Sequence, residues 1–168
     1  MASGALFSTC RRYRYRLWRF WNPLVKPVLF IGLNPSTADE VENDPTVERM
    51  CRRAKEWKYG GLIVCNIFAI RGTDPKVIYK DTWPVSEYGG SRNNIEIRVA
   101  AQESAIVICG WGTHGMKWGR GEEVLELLRK IGTTPYALKM NKRGTPAHPL
   151  YLSYSALPEP MISVTAKR

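Results

Sequence analysis

The sequence lacks several features that define well-known classes of protein. Its four cysteines are widely spaced and include no C-x-x-C pair, which disfavours zinc and iron–sulfur sites, and we expect no metal and no cofactor. No apolar run approaches the roughly 20 residues that a membrane-spanning helix needs. The glycine-rich stretch GWGTHGMKWGRG, residues 110–121, lacks the Lys-Ser/Thr ending of a P-loop, so a nucleoside triphosphatase is excluded.

The sequence also lacks a positively charged leader in front of an apolar stretch, so it predicts no signal peptide. Cys65 and Cys109 lie in apolar runs and are expected to be buried, reduced thiols. These features favour a cytoplasmic protein that does not bind a membrane.

Acidic residues are scarce relative to basic ones. The chain carries 25 Lys and Arg against 15 Asp and Glu, a formal net charge of +10, and this excess predicts a polyanionic partner, with nucleic acid the first candidate. The alternative is a basic protein that binds nothing specific. At 168 residues, with 44% hydrophobic content, the chain is long enough for one folded domain with a sizeable core, and we expect a monomer.

Buried strands alternate with helices along the chain. The predicted strands are residues 11–21, 28–33, 62–68, 105–112 and 135–140, and the predicted helices are residues 44–59, 93–104 and 121–131. Residues 71–93 are expected to form a long loop with a short helical piece. This order predicts a three-layer α/β/α sandwich with a mostly parallel, four-stranded central sheet. Within a single domain 1–168, residues 1–27 form a leader with an extra N-terminal strand, 28–155 the core, and 156–168 a loosely held tail.

Polar residues follow the predicted strands at the edge where ligands bind in such sheets. Asn34 and Pro35 follow one strand, Asn66 lies in the next, residues 110–112 end the third, and His148 follows the fourth. Asn34 could hold a water, Asn66 could pair with a base edge, and His148 could donate to a developing anion. The alternatives are that Asn34 closes a turn and that Asn66 is satisfied by neighbouring main chain.

Two charged segments have open interpretations. In RRYRYRLWRFW, residues 11–21, cations alternate with aromatic residues, which predicts a strand with one basic face. Arg12, Arg14 and Arg16 could track phosphates, or they could keep an edge strand soluble. The acidic residues of segment 39–44 are typical of a solvated loop with a helix cap at Asp44, although Asp39 could polarise a water.

Four motifs resemble those of the uracil-DNA glycosylase superfamily, in the same order. GLNPSTAD (32–39) is similar to the Gly-x-Asn-Pro motif of its mismatch-specific and single-strand-selective branches, and LIVCN (62–66) is similar to the strand whose Asn reads the base. IVICGWGTHG (106–115) resembles a third motif, and HPLYLS (148–153) the final His-Pro motif. Nearly the whole chain is more similar still to the family called domain of unknown function 1643, which occurs in bacteria and phages.

The resemblance implies a DNA repair hydrolase that flips a modified or mispaired base out of the helix and cleaves its N-glycosidic bond. Asn66 would bind the base, His148 would stabilise the departing anion, and Asn34, helped by Asp39, would position water. Leu152 would fill the vacated stack. The remaining implied contacts are with the base, from Pro35, Ser36 and Phe68, and with DNA, from Ser153, Arg12, Arg14 and Arg16.

The sequence departs from the glycosylase pattern at several positions. The stacking Phe between the first two motifs is missing, and Leu150 and Tyr151 occupy the Ser-Pro positions of the last motif. Uracil-specific members have Asp at the position of Asn34 and Tyr at the position of Ser36, which implies weaker catalysis and a pocket that admits bulkier bases. Two alternatives therefore stay open. One is a module that binds modified bases without turnover, and the other is a phage enzyme of DNA base hypermodification.

Overall fold

The computed structural model describes residues 2–80 and 91–162, which form seven strands and three α-helices. The strands are β1 (Ala2–Phe7), β2 (Arg14–Phe20), β3 (Val28–Gly32), β4 (Gly61–Asn66), β5 (Ile106–Cys109), β6 (Pro135–Ala137) and β7 (Glu159–Pro160). The helices are α1 (Pro45–Glu56), α2 (Ser91–Glu103) and α3 (Arg120–Lys130). All seven strands join one mixed sheet in the order β1-β2-β4-β3-β5-β6-β7.

The sheet is larger and more mixed than the sequence predicts. Strands β4, β3, β5 and β6 pair parallel, whereas β1, β2 and β7 are added antiparallel at the two sides. The predicted leader strand is β2, and β1 precedes it as a further strand. Strand β7 pairs with β6, so the tail expected to be loose is held to the sheet at Glu159–Pro160.

Helices cover both faces of the sheet because the inner strands are apolar on both sides. Helix α1 packs through Val47, Met50 and Ala54 on one face, beside Phe30 and Val64. Helices α2 and α3 pack on the opposite face, where the cluster includes Leu29, Ile31, Ile97, Val107, Val124 and Leu128. The predicted alternation of strands and helices is therefore present as a mixed α/β fold.

Helix α1 begins as the sequence predicts. Pro45 occupies its first turn, and the Asp44 carboxylate accepts a hydrogen bond from the Val47 N–H at 2.9 Å, which caps the helix. The predicted loop 71–93 contains a 3₁₀ helix, Pro75–Tyr79, and the first residues of α2, while its residues 81–90 lie outside the described part of the chain. Among the described residues, no helix has the length and apolar character that crossing a membrane requires.

A β-bulge in β2 separates arginines that the sequence places on one face. Leu6 pairs with Arg16 and the next residue of β1, Phe7, pairs with Arg14. Tyr15 is therefore the extra residue that the bulge inserts into β2. The extra residue reverses the side-chain alternation at this point. Arg14 consequently reaches the α1 face, where its Nη1 donates to the Ala38 carbonyl at 2.7 Å. Arg16 instead points to the α2 face, and the expected single basic face does not form.

Candidate functional site

A cavity of about 890 Å³ opens at the carboxyl ends of the parallel strands. Residues that end or follow β3, β4 and β5 line it, together with the loop after β6 and the segment 147–152. Asn34, Ser36, Asn66, His148 and Leu152 all contribute to its wall. The structure therefore gathers six of the predicted site residues, these five and Arg14, from four separated segments, around one space.

The amide of Asn34 is held in one orientation. Its Nδ2 donates to the Gly72 carbonyl at 2.9 Å and to the Pro35 carbonyl at 3.2 Å, so this end of the side chain is tied to main chain. The Oδ1 atom has no hydrogen-bond partner among the described residues, which leaves it as an acceptor on the cavity wall. Asn34 thus closes a loop, as the alternative interpretation predicted, and still presents an oxygen that can bind a water.

Asn66 lies at the end of β4 with 5% of its surface exposed. Its buried Oδ1 has no hydrogen-bond partner within residues 2–80 and 91–162. The adjacent strand makes room for the amide, because a Cβ at Gly32 would lie 2.9 Å from Nδ2. A buried amide oxygen without a donor is costly, and such groups in native structures call for a ligand or a water.

His148 is held by close packing between the 147–152 segment and β5. A Cβ at Gly110 would lie 2.9 Å from Pro149 Cδ, and the Ala147 N–H donates to the Lys139 carbonyl at 2.8 Å. The Leu150 N–H donates to His148 Nδ1 at 3.2 Å, so the neutral ring carries its proton on Nε2. Burial lowers the pKa of His148 from 6.5, with the charge of Asp44 acting in the opposite direction. The ring is therefore a neutral hydrogen-bond donor at physiological pH.

Arg14 and Asp44 bring opposite charges to the buried end of the cavity. Arg14 is 2% exposed and Asp44 is 7% exposed, and both line the wall. Burial lowers the pKa of Arg14 to about 10, so its guanidinium stays protonated at neutral pH. The two oxygens of Asp44 accept from the Val47 N–H and, at 3.3 Å, from the Ala38 N–H. Both Asp44 oxygens are therefore occupied by main-chain N–H groups, and Asp44 affects the other groups of the cavity through its negative charge.

The rim of the cavity is basic on one side. Lys139, Lys142 and Arg143 are exposed and line the mouth beside Asn141, in the turn that follows β6. The Gly144 N–H donates to the Asn141 carbonyl at 2.9 Å, which closes this turn. Exposed cations around a polar cavity favour a ligand with phosphates or other anionic groups near the mouth.

Three of the predicted catalytic and base-binding residues do not line the cavity. Phe68 is 2% exposed and packs in the core on the α2 and α3 face, edge to face with Trp118. Pro35 is buried, and its carbonyl accepts from the Gly72 N–H at 2.9 Å. Asp39 Oδ1 accepts from the N–H groups of residues 41 and 42, and these bonds lower the pKa of its carboxyl group. Asp39 is thus occupied in a loop and does not reach a water in the cavity.

The remaining predicted DNA contacts are also dispersed. Arg12 is exposed outside β2, and Arg16 forms an ion pair with Glu103 of α2 on the face opposite the cavity. Ser153 is exposed, and its hydroxyl bonds to Ser155. The leader arginines therefore form no common phosphate-binding surface in the structure.

The sequence interpretation assigned no cavity role to Asp44 or the 139–143 turn, it named Trp111 only as part of the segment that ends the third strand, and it placed Arg14 on a phosphate-binding surface. Two signals could have identified some of them. A helix cap that follows a parallel strand lies at the ligand-binding edge, which applies to Asp44. The turn Asn141–Gly144 stands between the fourth predicted strand and His148, so its cations belong to the same edge. No pattern in the sequence indicates the bulge that turns Arg14 toward the cavity.

The fold and the site define a mixed α/β protein with a polar, partly basic cavity at the carboxyl ends of its parallel strands. A family model described as "Protein of unknown function (DUF1643)" matches residues 14–150, and the chain belongs to this family. No curated protein and no solved structure is significantly similar to the chain. The match confirms the family predicted from the motifs, and the finer likeness to uracil-DNA glycosylases stays a prediction.

Proposed function

We propose that the protein binds a nucleobase extruded from DNA in this cavity and hydrolyses its N-glycosidic bond. One observation carries the proposal. Asn34, Asn66 and His148 come from three distant parts of the chain and line one cavity, and each has a polar group without a partner in the part of the chain that the structure describes. An acceptor for water, an amide for the base edge and a neutral imidazole donor are the groups that such a hydrolysis uses.

In the proposed reaction the C1′–N bond breaks and its electron pair leaves with the base. The His148 Nε2–H donates to the oxygen on which this negative charge accumulates. A water held by Asn34 Oδ1 adds its oxygen to C1′, and one of its protons ends on the released base. The products are an abasic sugar and a free base, so atoms and charge balance.

Nucleic acid supplies the features that the rest of the site favours. The cations Lys139, Lys142 and Arg143 at the mouth suit the phosphates flanking an extruded nucleotide. Leu152 lines the wall, and its carbonyl accepts a hydrogen bond from Arg53 Nη2 at 2.9 Å, which fixes the main chain at this position. Its apolar side chain would fill the gap that the extruded base leaves in the DNA stack.

A base-binding protein without turnover is the second candidate. The observation in its favour is that, among the described residues, the cavity wall contains a single carboxylate, that of Asp44, whose oxygens both accept from main-chain N–H groups. A general base is therefore missing, and an amide is a poor substitute.

The decisive experiment incubates the protein with oligonucleotides that carry uracil, mispaired thymine, hydroxymethylated or glucosylated pyrimidines, or damaged purines. We expect alkali-labile abasic sites with at least one substrate, and a loss of about 10²–10³ in rate for His148→Ala, since one preorganised donor contributes that much. Asn34→Ala removes the group that holds the water and should abolish base release. Salt-dependent binding without release from any substrate would instead support the second candidate.

A further inference from the structure

A strained and partly exposed tryptophan lies close to the cavity. The 3₁₀ segment Thr113–Gly119 follows β5, and inside it Trp118 has a φ of 54°, in the left-handed region that bulky side chains avoid. The Trp118 ring packs edge to face on Phe68, with the ring centroids 6.2 Å apart, yet 44% of the residue is exposed. A strained main chain that presents a large apolar ring to solvent indicates a function at this position.

Trp118 belongs to a compact group of aromatic and cationic side chains. Lys117 Nζ lies 4.6 Å from the centroid of the Trp118 ring and 5.0 Å from that of Tyr79, which is 46% exposed. A hydrogen bond of 2.9 Å joins Tyr79 Oη and His114 Nδ1, and His114 lines the cavity. These distances connect the group, which we call the aromatic rim (Tyr79, His114, Lys117 and Trp118), to the cavity wall.

The charge of the aromatic rim is available to a ligand. Lys117 forms no ion pair with any residue that the structure describes, so its ammonium group can contact an anion. Lys139, Lys142 and Arg143 add exposed cations at the mouth of the same cavity. Exposed aromatic rings beside cations are the combination that binds single-stranded nucleic acid, because bases stack on the rings and phosphates contact the cations.

We propose that the aromatic rim is a second subsite for nucleic acid, at which bases of a single-stranded segment beside the cavity stack on Trp118 and Tyr79 while Lys117 contacts a phosphate. The inference rests on the proposed function in taking the ligand of the cavity to be a nucleotide within a strand, but it does not depend on hydrolysis. The faces of paired bases are covered by their neighbours in a duplex. The subsite therefore selects single-stranded over double-stranded DNA.

The test measures binding to unmodified DNA, without any reaction. Fluorescence anisotropy at one salt concentration compares a short labelled single strand, the same strand paired with its complement, and a strand of equal length whose abasic residues keep the phosphates but lack the bases. We expect the wild-type protein to bind the single strand at least about tenfold more tightly than either of the other two.

Trp118→Gly is the informative variant, because glycine accepts the positive φ and the ring is removed without added backbone strain. It should bind the single strand about fivefold or more weakly, since one stacked base contributes that much, and the abasic strand within about twofold of wild type. Trp118→Tyr, which keeps an aromatic face, should retain most of the affinity for the single strand.

Trp21→Ala is the matched control. Lys55 Nζ lies 5.2 Å from the Trp21 ring, so the pair has similar chemistry. Trp21 follows β2, whose last residue pairs with the first residue of β4, at the end of the sheet opposite the cavity. Its loss should therefore leave the affinities for all three probes unchanged.

Equal affinity of the wild-type protein for the single strand and the duplex would overturn the inference, whether or not the variants fold. A folded Trp118→Gly variant that binds the single strand as wild type does, or that loses equal affinity for the abasic strand, would also overturn it. Base release from duplex DNA without a preference for single strands would refute this subsite alone. Single-strand binding without base release from any substrate would refute only the proposed hydrolysis.

Discussion

Asp44 offers a direct test of how the cavity wall is built. One carboxylate oxygen accepts from the Val47 N–H at 2.9 Å and caps α1, and the other accepts from the Ala38 N–H at 3.3 Å and ties down the loop after β3. The residue is 7% exposed, so water cannot readily replace either bond. Removing this side chain should loosen the start of the helix and the loop together.

The size of the effect follows from the two bonds. Loss of an N-cap costs about 1 kcal/mol, and a buried N–H left without an acceptor costs about 1–3 kcal/mol. Asp44→Ala should therefore lower the free energy of unfolding by about 2–4 kcal/mol. Asp44→Asn should lose about 1 kcal/mol less, because Asn caps helices as well as Asp does but offers a single acceptor oxygen.

Urea unfolding followed by tryptophan fluorescence measures both variants, with a shifted midpoint and an unchanged slope as the expected signature. Asp39→Ala is the matched control. Asp39 also accepts two main-chain N–H bonds in the same loop, but these lie at the surface, where water can take over. The reasoning is refuted if Asp44→Ala moves the midpoint no further than Asp39→Ala.

Two further predictions concern charge. Burial lowers the pKa of His148 below 6.5, so the unfolded chain takes up a proton at a higher pH than the folded chain does. The free energy of unfolding should therefore fall as the pH drops below about 6.5 and level off below the pKa that His148 has in the folded protein. Urea unfolding at several pH values should show that His148→Gln lacks this pH-dependent loss of stability. If the pH dependence is the same in the variant, a group other than His148 causes it. Lys142→Gln and Arg143→Gln should each reduce the salt slope of single-stranded oligonucleotide binding by about 0.7, whereas Lys130→Gln, far from the cavity mouth, should not. Equal slopes for all three variants would exclude the rim as the phosphate contact.

Local signals in the sequence are sufficient to predict most of the fold. Helix α1 was predicted with its cap at Asp44 because a capping residue, a proline and a helical apolar period coincide there. The inner strands were predicted because continuous apolar runs of four to seven residues indicate burial on both faces. Strands β1 and β7 were missed, since edge strands of this kind depend on a partner strand, and only one of their residues is buried.

The candidate site was predicted in part, for a physical reason. Parallel strands bring their carboxyl ends to one edge, so any polar residue directly after such a strand approaches its counterparts, and this rule located Asn34, Asn66 and His148. Motif likeness failed to place Phe68 at the cavity, because the direction of a side chain beyond the end of a strand depends on local packing. A single extra residue in β2 had the larger effect, since it sent Arg14 into the cavity and Arg16 to the opposite face.

The buried arginines change what the net charge of +10 means for this protein. Arg14, Arg19, Arg53 and Arg120 are each at most 6% exposed, and each donates to main-chain carbonyl oxygens. Most of those carbonyls belong to the loops after β3 and β4 and to residues 152 and 153, and two further acceptors of Arg19 lie in β1 and β2. Part of the basic composition therefore holds loops in place, and the net charge alone indicates a polyanionic partner less strongly than the sequence predicts. Lys139, Lys142 and Arg143 are the exposed cations that line the cavity.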